Sequence, residues 1–189
     1  MRNPSLLLLI VVFILAPFKL SAAADTVAVR ETRIPVLIER QDNELFHLRI
    51  EAAQSQMLNE VKLDFGKDVN LNEIESVKLY YGGTESVERR GKTYFAPVDY
   101  ISSNTPGKTL AANTSYSVLK SEMKAPKREV ILKADQKLFP GVNYFWISLQ
   151  MKPVASILSK VSAEVVEAKI DGQVAPLKIV RKADTHYMG

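Results

Sequence analysis

From Thr26 onward, apolar and polar residues alternate in short runs separated by turn residues. The segments TVAVRET, FHLRIEA, NEVKLDFG, ESVKLYYGG, KTYFAPVDYIS, REVILKAD, YFWISLQM, KVSAEVVEAKI and VAPLKIV all repeat with period two. That period places successive side chains on opposite faces of an extended chain, so each segment predicts a strand. The interruptions are Gln41-Asp42-Asn43, Gly82-Gly83, Pro140-Gly141 and Asp171-Gly172. Gly, Asn and Asp tolerate the backbone angles of tight turns, and Asp-Gly between two alternating runs predicts a hairpin. Around PVASILSKVSAEVVEAKI, Ala and Ser weaken the strand reading in favour of a helix. Its second half alternates and leads into the Asp171-Gly172 turn, so it is read as strand.

Nine short strands with no regular interleaving of helices predict an all-β protein, a single jelly-roll-like β-sandwich, with a barrel as the alternative. Ser102 to Lys127 is the longest stretch without alternation and is read as one irregular loop. Loops of that length in a compact domain are commonly functional or disordered.

The run NYFWISLQMKP contains the single tryptophan of the chain. Alternation puts Phe145, Ile147, Leu149 and Met151 on one face, which reads as core. Tyr144, Trp146, Ser148 and Gln150 fall on the other, combining two aromatic rings with two hydrogen-bonding side chains. Such a face suits a sugar platform, a docking surface, or a second hydrophobic layer.

The amino terminus has a different pattern. Arg2 precedes an apolar run from Leu6 to Ala16, and small residues follow at Ser21 to Ala24. The run is short for a membrane span, Pro17 ends it, and Ala22-x-Ala24 fits a signal-peptidase site. Residues 1–24 therefore predict a secretory signal cleaved between Ala24 and Asp25, with an uncleaved anchor as the alternative. Cleavage implies a secreted or periplasmic protein with no membrane span remaining. Removing residues 1–24 takes away two cations and no acid, so the formal charge falls from +4 to +2. The remaining Lys and Arg are scattered, which argues against nucleic-acid binding. There is no cysteine, hence no disulfide framework. A chain near 150 residues nevertheless buries roughly 70% of its unfolded surface and needs no staples.

The residues offer little catalytic chemistry. His47 and His186 are the two histidines, far apart and without metal-ligand spacing, so neither a metal nor a cofactor is expected. Gly82-Gly83 lacks the lysine of a phosphate-binding loop. Asp42, Glu44, Asp64, Glu73, Glu75 and Glu85 supply carboxylates, which read as solvated charges on strand ends and turns rather than as an acid–base pair. Asn113-Thr114-Ser115 matches a glycosylation sequon, a short pattern common by chance.

Four longer stretches together carry a resemblance: VRETRIPVLIERQDN, SVKLYYGGTE, FAPVDYISSNTPGKTLAAN and DQKLFPGVNYFWISLQMKP. They resemble the amino-terminal domain of secreted bacterial sialidases (exo-α-neuraminidases) of the Asp-box type, across nearly the whole chain after the signal. The resemblance implies a β-sandwich over residues 25–182, likened to carbohydrate-binding modules, and a linker beginning at residues 183–189 ahead of a catalytic β-propeller. It implies a noncatalytic chain whose partners are that propeller and sialylated glycans or glycoproteins, with a purely structural interdomain module that has no ligand of its own as the alternative. The family's Asp-boxes of the form Ser-x-Asp-x-Gly-x-Thr-Trp do not occur here. Arg33-Ile34-Pro35 approaches the family's Phe-Arg-Ile-Pro motif, but Thr32 replaces Phe and the position lies in the leading domain. Arg33 is accordingly not read as catalytic. Tyr144, Trp146, Ser148 and Gln150 are then the candidate carbohydrate-contacting residues, with coverage of Tyr144 and Trp146 by a loop or by the propeller as the other reading.

Overall fold

A computed structural model describes residues 26–32, 35–84, 87–89, 92–94, 118–181 and 186–187. The expected signal and its Ala24–Asp25 junction, Arg33, Glu85 and the Asn113 sequon lie outside the described residues.

The chain forms strands β1 (Val27–Glu31), β2 (Asn43–Ala52), β3 (Gln56–Phe65), β4 (Ile74–Gly83), β5 (Val87–Arg89), β6 (Lys92–Tyr94) and β7 (Val118–Lys124). The order continues with β8 (Glu129–Leu138), β9 (Gly141–Met151), β10 (Lys160–Val161), β11 (Ala163–Ile170), β12 (Gln173–Val174), β13 (Leu177–Arg181) and β14 (His186–Tyr187). Among the described residues the only helical turn is a short 3₁₀ segment, Leu71–Glu73, and no helix is long and apolar enough to cross a membrane.

Two sheets make the sandwich. A six-stranded sheet runs β13-β1-β2-β9-β4-β7 and a four-stranded sheet runs β12-β11-β3-β8. All neighbours are antiparallel except β1 with β13. Alternate residues of both sheets meet in one core that includes Leu48, Ile50, Leu63, Leu79, Leu132, Phe145, Ile147 and Leu149. The all-β reading therefore holds, and so does the core face of β9. The segment with helix-like composition is strand from Lys160 to Val161 and from Ala163 to Ile170.

Three details differ from the sequence reading. Strands β2, β3, β4, β8 and β9 are ten or eleven residues long, not short. The stretch read as a loop ends in a strand, β7, which is the outer edge of the six-stranded sheet. Met123 of β7 packs against the core, while Lys120, Glu122 and Lys124 are charges that protect the edge. Finally, His186–Tyr187, in the segment expected to begin a linker, pairs with Lys160–Val161 as a separate two-stranded sheet.

Turn chemistry places the strands. Asp171 and Gly172 both have positive φ, at 48° and 76°, and their turn joins β11 to β12 as a hairpin. Asn143 closes the β8–β9 turn: its Nδ2 donates to the Phe139 carbonyl at 2.8 Å and its Oδ1 accepts from the Phe139 N–H at 3.0 Å.

Candidate functional site

The side of the six-stranded sheet facing away from the core carries a polar and aromatic cluster. It begins with a bulge in β2. The register slips between Glu44 and Phe46, so Leu45 and Phe46 both point into the core although they are adjacent. Backbone groups at the bulge are satisfied by the end of β1: the Thr32 N–H donates to the Leu45 carbonyl at 3.0 Å, and the Thr32 hydroxyl donates to the Glu44 carbonyl. A bulge adds one residue to the strand and resets the alternation. Glu44 and His47, three positions apart, thereby share one face. Their side chains meet at 2.8 Å between Oε2 and Nε2, and both residues are buried. Among the described residues Glu44 Oε1 has no hydrogen-bond partner.

Cross-strand register arranges the rest in rows. His47 lies opposite Trp146, and Trp146 opposite Tyr80. The Trp146 and Tyr80 rings stack with centroids 4.2 Å apart and planes 10° from parallel. In the next row Glu44 faces Ser148 and Ser148 faces Lys78.

Asp42 sits over that second row. Its Oδ1 accepts from the Ser148 hydroxyl at 2.8 Å, the Tyr80 hydroxyl at 2.9 Å and the Lys78 ammonium at 3.4 Å. Lys78 Nζ also donates to the Gln41 carbonyl at 3.2 Å and to Gln150 Oε1 at 3.3 Å. Asn43 fixes the loop that holds Asp42. Its Oδ1 accepts from the Leu37 N–H at 2.7 Å, and its Nδ2 donates to the carbonyls of Leu37, Arg40 and Leu149. Burial, with the Asp42 hydrogen bond and negative charge as further causes, holds the Tyr80 phenol well above its ordinary range. Tyr80 therefore donates to Asp42 as a neutral phenol at physiological pH.

All four residues expected to contact carbohydrate, Tyr144, Trp146, Ser148 and Gln150, lie on this side of the sheet. Tyr144 is 5% exposed, Trp146 7% and Ser148 0%, while Gln150 is half-buried. One ring face of Trp146 is taken by Tyr80. The sequence reading did not group Asp42, Glu44, His47, Lys78 and Tyr80 with them. The alternation of Lys78 and Tyr80 in β4 was a usable signal. The bulge-dependent meeting of Glu44 and His47 was not, because it breaks the period-two rule. Of the other carboxylates, Asp64 belongs to the opposite sheet and Glu73 to the 3₁₀ turn. Among the described residues no three His, Asp or Glu side chains gather as a metal site.

Comparison with known proteins covers most of the chain. Residues 24–174 match the model of the N-terminal domain of BNR-repeat neuraminidase. The chain is 62% identical over 168 residues to a protein described as a sialidase from Bacteroides fragilis (strain YCH46), an alignment spanning 88% of this chain and 31% of that protein. The fold matches the solved structure of Hadza microbial sialidase Hz136 with a TM-score of 0.72 and 37% identity, over 86% of this chain and 31% of that one. The chain thus spans about a third of the length of these relatives.

Proposed function

The chain belongs to the family of N-terminal domains of BNR-repeat neuraminidases, and from that membership we propose that it serves a sialidase polypeptide as a noncatalytic module. In this reading it packs on and positions the domain that removes terminal sialic acids from glycoconjugates. The observation that carries it is one of extent. The family match covers the sandwich from residue 24 to residue 174, whereas the matched relatives are about three times longer than the region they share with this chain. Sialoside hydrolysis needs cationic groups on the substrate carboxylate and a nucleophile held in fixed geometry. The module reading assigns that constellation to the remainder of the polypeptide.

Within the same reading Tyr144, Trp146, Ser148 and Gln150 serve packing rather than sugar contact. A stacking platform offers the flat face of a ring to a pyranose. Here Trp146 gives a face to Tyr80 and Ser148 gives its hydroxyl to Asp42. The measurement is hydrolysis of a fluorogenic sialoside by this chain alone and by this chain joined to the remainder of the Bacteroides fragilis sialidase. The joined polypeptide should release sialic acid and the chain alone should not; release by the chain alone would refute the assignment. Binding to mucin glycans that is lost in a folded Trp146→Ala variant would replace the packing role with direct sugar contact. The apolar run from Leu6 to Ala16 and the Ala22-x-Ala24 pattern support export of the module. Amino-terminal sequencing of exported protein should begin at Asp25, and a product beginning at Met1 would count against export by cleavage.

A further inference from the structure

Three of the most exposed large apolar side chains sit together, between β9 and β10. Val154 is 85% exposed, Ile157 66% and Leu158 85%. Single exposed apolar residues are ordinary, but three within five positions on one loop are a patch.

The loop holding them is fixed. The Ala155 N–H donates to the Lys152 carbonyl at 3.0 Å, and the Ser159 N–H donates to the Ser156 carbonyl at 3.0 Å, which makes two successive turns. The Leu158 N–H donates to Ser156 Oγ at 3.2 Å, and the Lys152 N–H donates to the Glu73 carbonyl at 2.8 Å. Ala155, between the exposed residues, packs against the core. A loop already held in one conformation loses little entropy when it is covered.

Two further facts indicate what covers it. Strand β14, His186–Tyr187, pairs with β10, which begins two residues after Leu158. The family to which the chain belongs consists of N-terminal domains, and the chain spans 31% of its sialidase relative. The polypeptide that follows in such a protein therefore leaves the sandwich beside this loop. The patch is also small. Separate proteins associate stably through roughly 800 Å² per partner, far more than three side chains present. A tethered domain needs less, because the linker supplies a high effective concentration.

We propose that the Val154–Leu158 loop is the surface on which the following domain of the sialidase polypeptide docks, an inference that rests on the module reading above. The complementary surface is accordingly a shallow apolar patch.

Hydrogen exchange across Val154–Leu158 tests the proposal, comparing this chain with the chain joined to the remainder of the Bacteroides fragilis sialidase. Exchange should slow about tenfold or more in the joined polypeptide, and the triple variant Val154→Ser, Ile157→Ser, Leu158→Ser should reverse the slowing. Those side chains are solvent-exposed, so the triple variant of the chain alone should keep its melting temperature, which confirms that it folds. Equal exchange in both contexts would overturn the proposal. So would a concentration-dependent dimer of the chain alone that the triple variant dissociates, since a second copy would then be the occupant. Sialoside hydrolysis by the joined polypeptide separates the two readings: hydrolysis without loop protection refutes the docking surface and leaves the module reading standing.

Discussion

Replacing Asp42 by Ala should destabilise the sandwich by about 3 kcal/mol, within a range of about 2–4. The figure follows from what each donor loses. Ser148 is fully buried and its hydroxyl donates to Asp42 at 2.8 Å, so the variant leaves a buried hydroxyl without its acceptor. That contributes about 1–2 kcal/mol. Lys78 retains Gln41 and Gln150 as acceptors but loses its carboxylate, at about 1 kcal/mol, since the Asp42 side chain is 34% exposed and water screens the pair. Tyr80 is only half-buried and can turn to solvent, which adds about 0.5 kcal/mol. For a chain of this size about 3 kcal/mol corresponds to a fall of roughly 6–12 °C in melting temperature. Asp42→Asn keeps an acceptor oxygen and should cost about 1 kcal/mol. The assay is urea unfolding followed by Trp146 fluorescence, a direct reporter because Trp146 is the single tryptophan and stacks on Tyr80. Asp42→Ala and Ser148→Ala should be non-additive by at least 0.5 kcal/mol, as residues sharing one hydrogen bond are. A loss below about 0.5 kcal/mol for Asp42→Ala, or strict additivity of the pair, would refute the view of Asp42 as the anchor of this face.

Two further outcomes follow from the packing and the ionisation of this sheet. Phe145→Ala removes a fully buried ring from the core and should cost about 3–5 kcal/mol in the same unfolding assay; a loss below 1 kcal/mol would show that β9 does not face the core as described. Burial raises the phenols of both Tyr80 and Tyr81 above their unfolded values, so the stability they contribute is fully present below about pH 10 and is lost as pH climbs beyond it. Tyr80→Phe should flatten that alkaline loss, and an unchanged pH profile would exclude Tyr80 from it.

The period-two pattern determined the class of the fold, because a strand with one face in a core must alternate and β1, β8 and β9 do. It also determined which residues of β9 enter that core, since Phe145, Ile147, Leu149 and Met151 need only local geometry to share a face. The Asp171-Gly172 hairpin was legible for the same reason: its backbone angles are a property of those two residues. Local pattern did not reach β7, an edge strand in which Met123 meets the core among charged residues, or β14, which pairs with β10 far back in the chain. Nor did it reach the cluster around Asp42. That cluster joins a loop to β4 and β9, which are 36 and 106 positions away in sequence, and a bulge brings Glu44 to His47 by overriding the alternation that the reading relies on. The exposure of Val154, Ile157 and Leu158 was equally beyond the sequence, in which an apolar residue beside a strand reads as core; only the turns that hold Ala155 inward and its neighbours outward decide otherwise.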